Sequence, residues 1–217
     1  MGHIISKEGV LLYPKRVSAN EILTLPRNKK EIQVFPGKIN FLRRFIPNYV
    51  EIVKDITDML RKDHEFKWTP TSRHAFEQIK KVISEAPTLA SPDYTKPFSI
   101  FSFASETILL VVLLQKNEDS HDQPISFFSK VMRDVEIKYD IIEKKAYAVI
   151  QAHKSFVMYV FHSPIIAYVP NSAMNIILIQ PKSDGKRGRW ITQILEFDIT
   201  IKTTKLVKGQ GLAKLLA

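Results

Sequence analysis

Apolar positions along the chain follow two different rhythms separated by a proline-rich seam. In the first third they recur mainly at helical spacing. Thr69-Pro70 supplies a helix N-cap and first turn, and Ala75, Phe76, Ile79, Val82 and Ile83 follow along one face, which predicts a short amphipathic helix. Further upstream, Ile39, Leu42, Phe45 and Ile46 suit a second helix, with Arg43 and Arg44 turned towards another side. Pro36-Gly37 falls where that helix would run back to Lys30. Proline removes a backbone donor and clashes with the preceding turn, at a cost of ~3 kcal/mol in a helix interior, so a break or kink is expected there. Pro87, Pro92 and Pro97 then interrupt any regular pattern, which makes residues 87–97 a linker between a region at 1–86 and a domain at 98–217.

Beyond the seam the period shortens. Phe98 to Ala104 and Ile108 to Gln115 read as strands, and the polar stretch Lys116 to Gln123 separates them from a third, Ile125 to Ser129, in a simple meander. Residues 136–160 carry Ile141, Ile142, Tyr147, Val149, Ala152, Phe156 and Val160 in a long helical pattern, and Ile165 to Val169 follows as a fourth strand. A short helix at 172–180, a basic-capped helix from Lys186 to Leu195, a fifth strand from Phe197 to Thr203 and a terminal helix at 211–217 complete the reading. The fold class is therefore α+β or α/β: a small, mainly helical N-terminal region, then a mixed sheet with flanking helices. No internal repeat or low-complexity tract interrupts it.

Composition adds a partner class and removes several others. The chain has 217 residues and 45% apolar content, enough to bury a core in one large or two small domains. Lys and Arg number 32 against 22 acidic residues, a formal charge of +10, which points to a polyanionic partner such as nucleic acid or to a solvated basic surface. There is no cysteine, so disulfides and Cys-based zinc sites are excluded and a reducing compartment is compatible; an intracellular location, cytoplasmic or nuclear, is the expectation. The six histidines show no close pair at metal-ligand spacing. The longest purely apolar run, Ile108 to Leu114, is far too short to span a bilayer, so no membrane partner is expected. Met1-Gly2-His3-Ile4-Ile5-Ser6 matches the literal N-myristoylation pattern, but a pattern this short arises readily by chance.

Several motifs carry a resemblance. Gly2-His3-Ile4-Ile5-Ser6-Lys7-Glu8-Gly9-Val10 resembles the strand and turn that follow the catalytic motif of the reverse transcriptase palm in gypsy-type LTR retrotransposons. Phe35-Pro36-Gly37-Lys38-Ile39-Asn40-Phe41-Leu42-Arg43-Arg44-Phe45-Ile46-Pro47-Asn48 and Phe66-Lys67-Trp68-Thr69 are similar to the thumb of that family. Ala86-Pro87-Thr88-Leu89, Pro92-Asp93 and Lys96-Pro97-Phe98 resemble the start of its ribonuclease H domain. Further matches are Gln123-Pro124-Ile125-Ser126-Phe127-Phe128-Ser129-Lys130, Glu143-Lys144-Lys145-Ala146-Tyr147-Ala148, Arg187-Gly188-Arg189-Trp190-Ile191 and Leu206-Val207-Lys208-Gly209-Gln210-Gly211-Leu212-Ala213, the last two most like plant members. The matches run in collinear order over nearly the whole chain. The resemblance implies the end of a reverse transcriptase palm and a thumb, then a ribonuclease H-like domain, all cut from a Pol polyprotein.

What it implies for catalysis is negative. Ribonuclease H chemistry uses two divalent metals held by clustered carboxylates, and hard cations such as Mg²⁺ require those oxygens. The resemblance places the first-strand carboxylate on Phe103, within Ser102-Phe103-Ala104-Ser105, the long-helix carboxylate on Lys145, the fourth-strand one near Pro170 and the terminal-helix one on Lys214. The family would use Mg²⁺, but with its ligands replaced no metal or other cofactor is expected. Glu143 lies two residues before Lys145, about 200° around a helix, and Glu106 sits at an odd offset from Phe103, so neither is a good replacement. Reverse transcriptases of this kind also carry a Tyr-X-Asp-Asp motif, and no Asp-Asp pair occurs in the chain.

The remaining signals concern binding and stability. Lys182, Lys186, Arg187 and Arg189 beside Trp190 form a basic and aromatic cluster suited to phosphates and stacked bases, against the alternative of an inward Trp beneath a basic helix start. Arg43 and Arg44 either track a template or face water. Gly209-Gln210-Gly211 is a turn. Leu110 and Val111 stand where the family has small residues, which predicts crowding against a helix. Three readings follow: a non-catalytic fragment binding RNA, DNA or their hybrid; a structural or protein-interaction, connection-like module; and a relic without selected function.

Overall fold

A computed structural model shows how these segments fold. It describes residues 3–6, 9–61, 65–160, 163–169, 190, 192 and 199–203, without the side chains at 16, 21 and 36–38. The predicted helices at 172–180 and 211–217, and most of the one at 186–195, lie outside the described residues. Two compact units are present, Met1–Ser91 and Pro92–Ala217.

The first unit begins with a hairpin of β1 (His3–Ser6) and β2 (Gly9–Leu12), joined to the rest of the unit by a bridge in which Val10 and Leu89 exchange backbone hydrogen bonds of 2.7 and 3.0 Å. Gly9 has φ 132° and lies so close to this bridge that a Cβ would collide with the Leu89 carbonyl oxygen. Short helices follow: α1 (Pro14–Glu21), α2 (Lys29–Ile39), a 3-10 turn at Asn40–Phe45, α3 (Tyr49–Ile52), α4 (Lys54–Asp58) and α5 (Pro70–Ser84). Helix α5 starts as its sequence predicts: the Ser72 amide donates to Thr69 Oγ1 at 3.1 Å and the Thr69 amide to Ser72 Oγ at 2.9 Å, so two orphan donors are satisfied reciprocally. Its buried face, Ala75, Phe76, Ile79 and Ile83, packs within a core that includes Phe35, whose ring lies 5.1 Å from that of Phe76. Each such large apolar side chain contributes about 2 kcal/mol by leaving water.

Two local expectations are corrected here. Helix α2 runs through Pro36-Gly37 to Ile39 without ending there. It is capped at its start by Asn28, which accepts from the Glu31 amide at 3.0 Å, and is held by the buried Ile32, Phe35 and Ile39, so tertiary burial offsets the hydrogen bond that proline cannot make. Regular α geometry gives way only after Ile39, and Leu42 and Phe45 are buried from the 3-10 turn rather than from an α-helix.

The second unit is a five-stranded mixed sheet in the order β5-β4-β3-β6-β7, built from β3 (Phe98–Ala104), β4 (Ile108–Lys116), β5 (Asp122–Val131), β6 (Ile165–Val169) and β7 (Ile199–Thr203). β5, β4 and β3 form the antiparallel meander, whereas β6 pairs parallel to β3 and β7 parallel to β6. This is the mixed sheet that the order of elements predicts. Strand β4 is buried on both faces from Ile108 to Gln115, which explains its uninterrupted apolar run. Pro124 is tolerated within β5 because the strand lies at the sheet edge and the ladder is irregular there, Leu113 pairing with Ser126 but Leu114 with Pro124. The predicted helix at 136–160 is two: α6 (Asp134–Ile137) and α7 (Ile141–Val160). Asp140 separates them, accepting the Glu143 amide on its side chain at 2.8 Å and the Lys144 amide on its carbonyl at 2.8 Å.

The register decides the crowding expected at Leu110 and Val111. Leu110 pairs with Phe103 and Val111 with Ser102, so they point to opposite faces and only Val111 lies on the face that carries α7. That face is identified by Phe128, the cross-strand partner of Val111, whose ring meets Phe156 of α7 at 6.4 Å. Gln115 locks the approach to β3: its amide nitrogen donates to the Asp93 and Lys96 carbonyls at 2.8 and 3.1 Å, and its oxygen accepts the Asp93 amide at 2.9 Å.

Candidate functional site

Phe103, the residue matched to the first metal-binding carboxylate, sits at the penultimate position of β3 and is 51% exposed. The strand ends one residue later, and Ser105 organises the turn, its Oγ accepting the Ile108 amide at 3.0 Å. Glu106 therefore lies in the turn, so the continued strand on which its offset from Phe103 would count is not formed. Its carbonyl oxygen accepts the buried Lys144 Nζ at 2.8 Å, which ties the start of α7 to the end of β3. Lys145 is half-buried on the same helix, and Glu143 is buried. Pro170 and Lys214 lie outside the described residues.

Mg²⁺ held by oxygen ligands does not fit the positions that are described. Phe103 offers a ring and Lys145 an ammonium group, which repels a cation. Among the described residues no three His, Asp or Glu side chains converge.

A second cluster, not anticipated from the sequence, lies between β5, α6 and α7. Glu136 is 2% exposed, and its Oε1 accepts from Lys130 Nζ at 2.8 Å, Arg133 Nη2 at 2.9 Å and Tyr147 OH at 2.6 Å, while Oε2 accepts the Arg133 amide at 2.9 Å. Burial alone would raise the carboxyl's pKa; the hydrogen bonds from Lys130, Tyr147 and Arg133 outweigh it and hold Glu136 at about 2. Tyr147 moves the other way, up from its ordinary value, because it is buried and donates to that carboxylate. Its ring packs 5.6 Å from both Tyr139 and Trp190. The only sequence signal was the Arg133 to Glu136 spacing, in which a helix's third residue reaches back to the N-cap amide.

This cluster also decides Trp190. The indole is 6% exposed and packs against Tyr139 and Tyr147, so it serves the core and is not presented for base stacking, a correction to its place among the binding candidates. Its basic neighbours in sequence, Lys182, Lys186, Arg187 and Arg189, lie outside the described residues. Arg43 and Arg44 are half-buried in the last turn of the 3-10 segment, where positive charge complements the helix end, and the Arg44 guanidinium lies 5.4 Å from the Phe45 ring centre. Sequence reasoning also missed Phe101 and Tyr168, on the same sheet face as Phe103, whose rings stack at 4.5 Å with an interplanar angle of 14°. No described helix is long and apolar enough to cross a membrane.

Known proteins share this architecture. The family described as RNase H-like domain found in reverse transcriptase matches residues 68–167. A retrovirus-related Pol polyprotein from transposon 297 of Drosophila melanogaster is 31% identical over 206 residues, 94% of this chain but 19% of the polyprotein. The transposon Tf2-3 polyprotein of Schizosaccharomyces pombe is 31% identical over 71% of this chain and 12% of its own length. The structure of a foamy viral protease-reverse transcriptase in complex with RNA/DNA hybrid superimposes with a TM-score of 0.82 at 25% identity, over 95% of this chain and 29% of the viral one. The chain thus spans less than a fifth of the length of either polyprotein relative. Its residues 68–167 are an RNase H-like domain of the kind found in reverse transcriptase, and its relatives are retrotransposon Pol polyproteins.

Proposed function

We propose that this reverse transcriptase and RNase H-like fragment binds RNA, DNA or their hybrid through backbone contacts and does not hydrolyse it. The observation that carries the reading is the pair of described positions matched to metal ligands, where an exposed phenyl ring and an ammonium group stand in place of carboxylates. The formal charge of +10 supports attraction to a phosphate backbone, as does the viral reverse transcriptase of similar structure whose complex contains an RNA/DNA hybrid. Without a metal to activate water, the domain keeps recognition and loses the step that requires Mg²⁺.

The test is a titration of the purified chain with a labelled RNA/DNA hybrid at about 50 mM and about 200 mM salt. Phosphate contacts release counterions, so the affinity falls steeply between the two conditions if the reading holds. Salt-independent or absent binding contradicts it, and shifts the reading to a structural or protein-interaction module.

A further inference from the structure

The two faces of the sheet are unlike. On one, Phe128 and Lys130 of β5 reach Phe156 and Tyr147 of α7, so the long helix covers it. On the other, register partners place a group of aromatic residues side by side. Phe101 pairs with Tyr168 across β3 and β6, and their rings form the near-parallel stack described above. Phe103, two residues further along β3, points to the same face and keeps 51% of its surface in water. Tyr168 in turn pairs with Lys202 of β7, which is exposed and forms no ion pair among the described residues. An exposed ring, a two-ring stack two residues away along β3 and a cation on β7 thus share one face of the sheet.

We propose that Phe103, on the same sheet face as the Phe101–Tyr168 stack and Lys202, is a stacking platform for an unpaired base of single-stranded nucleic acid, with Lys202 neutralising the adjoining phosphate. The inference rests on the nucleic-acid reading above and narrows it to a substrate class. Every base has a π-face, so an exposed aromatic beside a positive charge holds single strands without demanding a sequence. Three rings on two strands form a surface too small for a stable protein interface, which needs roughly 1,000 Å² or more. A duplex keeps its bases stacked inside and offers the platform nothing but backbone.

The experiment titrates the full chain with a labelled oligo(dT) of about 12 nucleotides, a length within the range one such surface spans, and in parallel with an RNA/DNA hybrid. Phe103→Ala is expected to weaken single-strand binding by about tenfold while changing hybrid binding less than about twofold; Phe103→Trp retains single-strand binding, and Lys202→Gln lowers the salt slope by about one. Circular dichroism confirms that each variant is folded. Unchanged single-strand affinity in folded Phe103→Ala overturns the platform, and if hybrid binding persists the broader reading stands without it. Loss of self-association in Phe103→Ala with unchanged nucleic-acid binding assigns the ring to a protein contact and likewise overturns the platform. No binding of either nucleic acid by the unmodified chain removes both inferences.

Discussion

Glu136 and Phe103 belong to the same sheet-and-helix unit and sit in opposite circumstances. Glu136 is a carboxylate in the interior, which is costly unless its oxygens are paired, and both are: three side chains donate to one oxygen and a backbone amide meets the other. Phe103 is an apolar ring left half in water at a position that the family resemblance assigns to a metal-binding acid. The first arrangement ties α6, α7 and β5 together. The second contributes little to that packing. The difference teaches that the packing of this domain rests on residues other than those the resemblance assigns to metal binding.

The largest effect that would break this comparison lies at Glu136. Replacing it by alanine leaves Lys130 without its counter-ion and the Tyr147 O–H without its acceptor, and is expected to cost about 3–5 kcal/mol in denaturant unfolding. A loss below about 1 kcal/mol would show that the cluster is incidental. Next comes pH. The folded carboxyl titrates at about 2 against an ordinary 4.5, so the native state binds fewer protons, and its contribution is fully present above about 4.5 and lost as pH falls towards 2. Acid unfolding curves should show up to about 3 kcal/mol of stability disappearing in that window, and Glu136→Gln should flatten the dependence. Tyr147→Phe removes one donor to the carboxylate and is expected to cost about 1–3 kcal/mol by thermal unfolding. The smallest effect is at the exposed ring: Phe103→Asp should change stability by less than about 1 kcal/mol and restore no hydrolysis, because the long-helix position of the ligand pattern is still Lys145.

How far the sequence could be read depended on how local the determining interaction is. Strands β3 and β6 have the boundaries their apolar runs predict, and α5 begins at the Thr69-Pro70 cap, because each is set by neighbours within a few residues. Helix α2 persisted through Pro36 because burial of Ile32, Phe35 and Ile39 overrides a local penalty, which no window on the sequence reveals. The break between α6 and α7 was legible in principle at Asp140, whose cap was hidden by the apolar periodicity on either side. The Phe101–Tyr168 stack and the Trp190 packing depend on parallel strand pairing and helix docking between distant segments, so charge and aromatic content near Trp190 leave stacking and core roles both open in the sequence, and the fold resolves them to the core.

The central claim, recognition without hydrolysis, is tested most directly by incubating the chain with an end-labelled RNA/DNA hybrid and Mg²⁺ under conditions where the hybrid is bound, and following the RNA strand on a denaturing gel. The account predicts salt-sensitive retention of the hybrid with its RNA intact at every time point. RNA fragments that accumulate with Mg²⁺ and vanish on chelation would contradict it, and would require metal ligands other than the residues at positions 103 and 145.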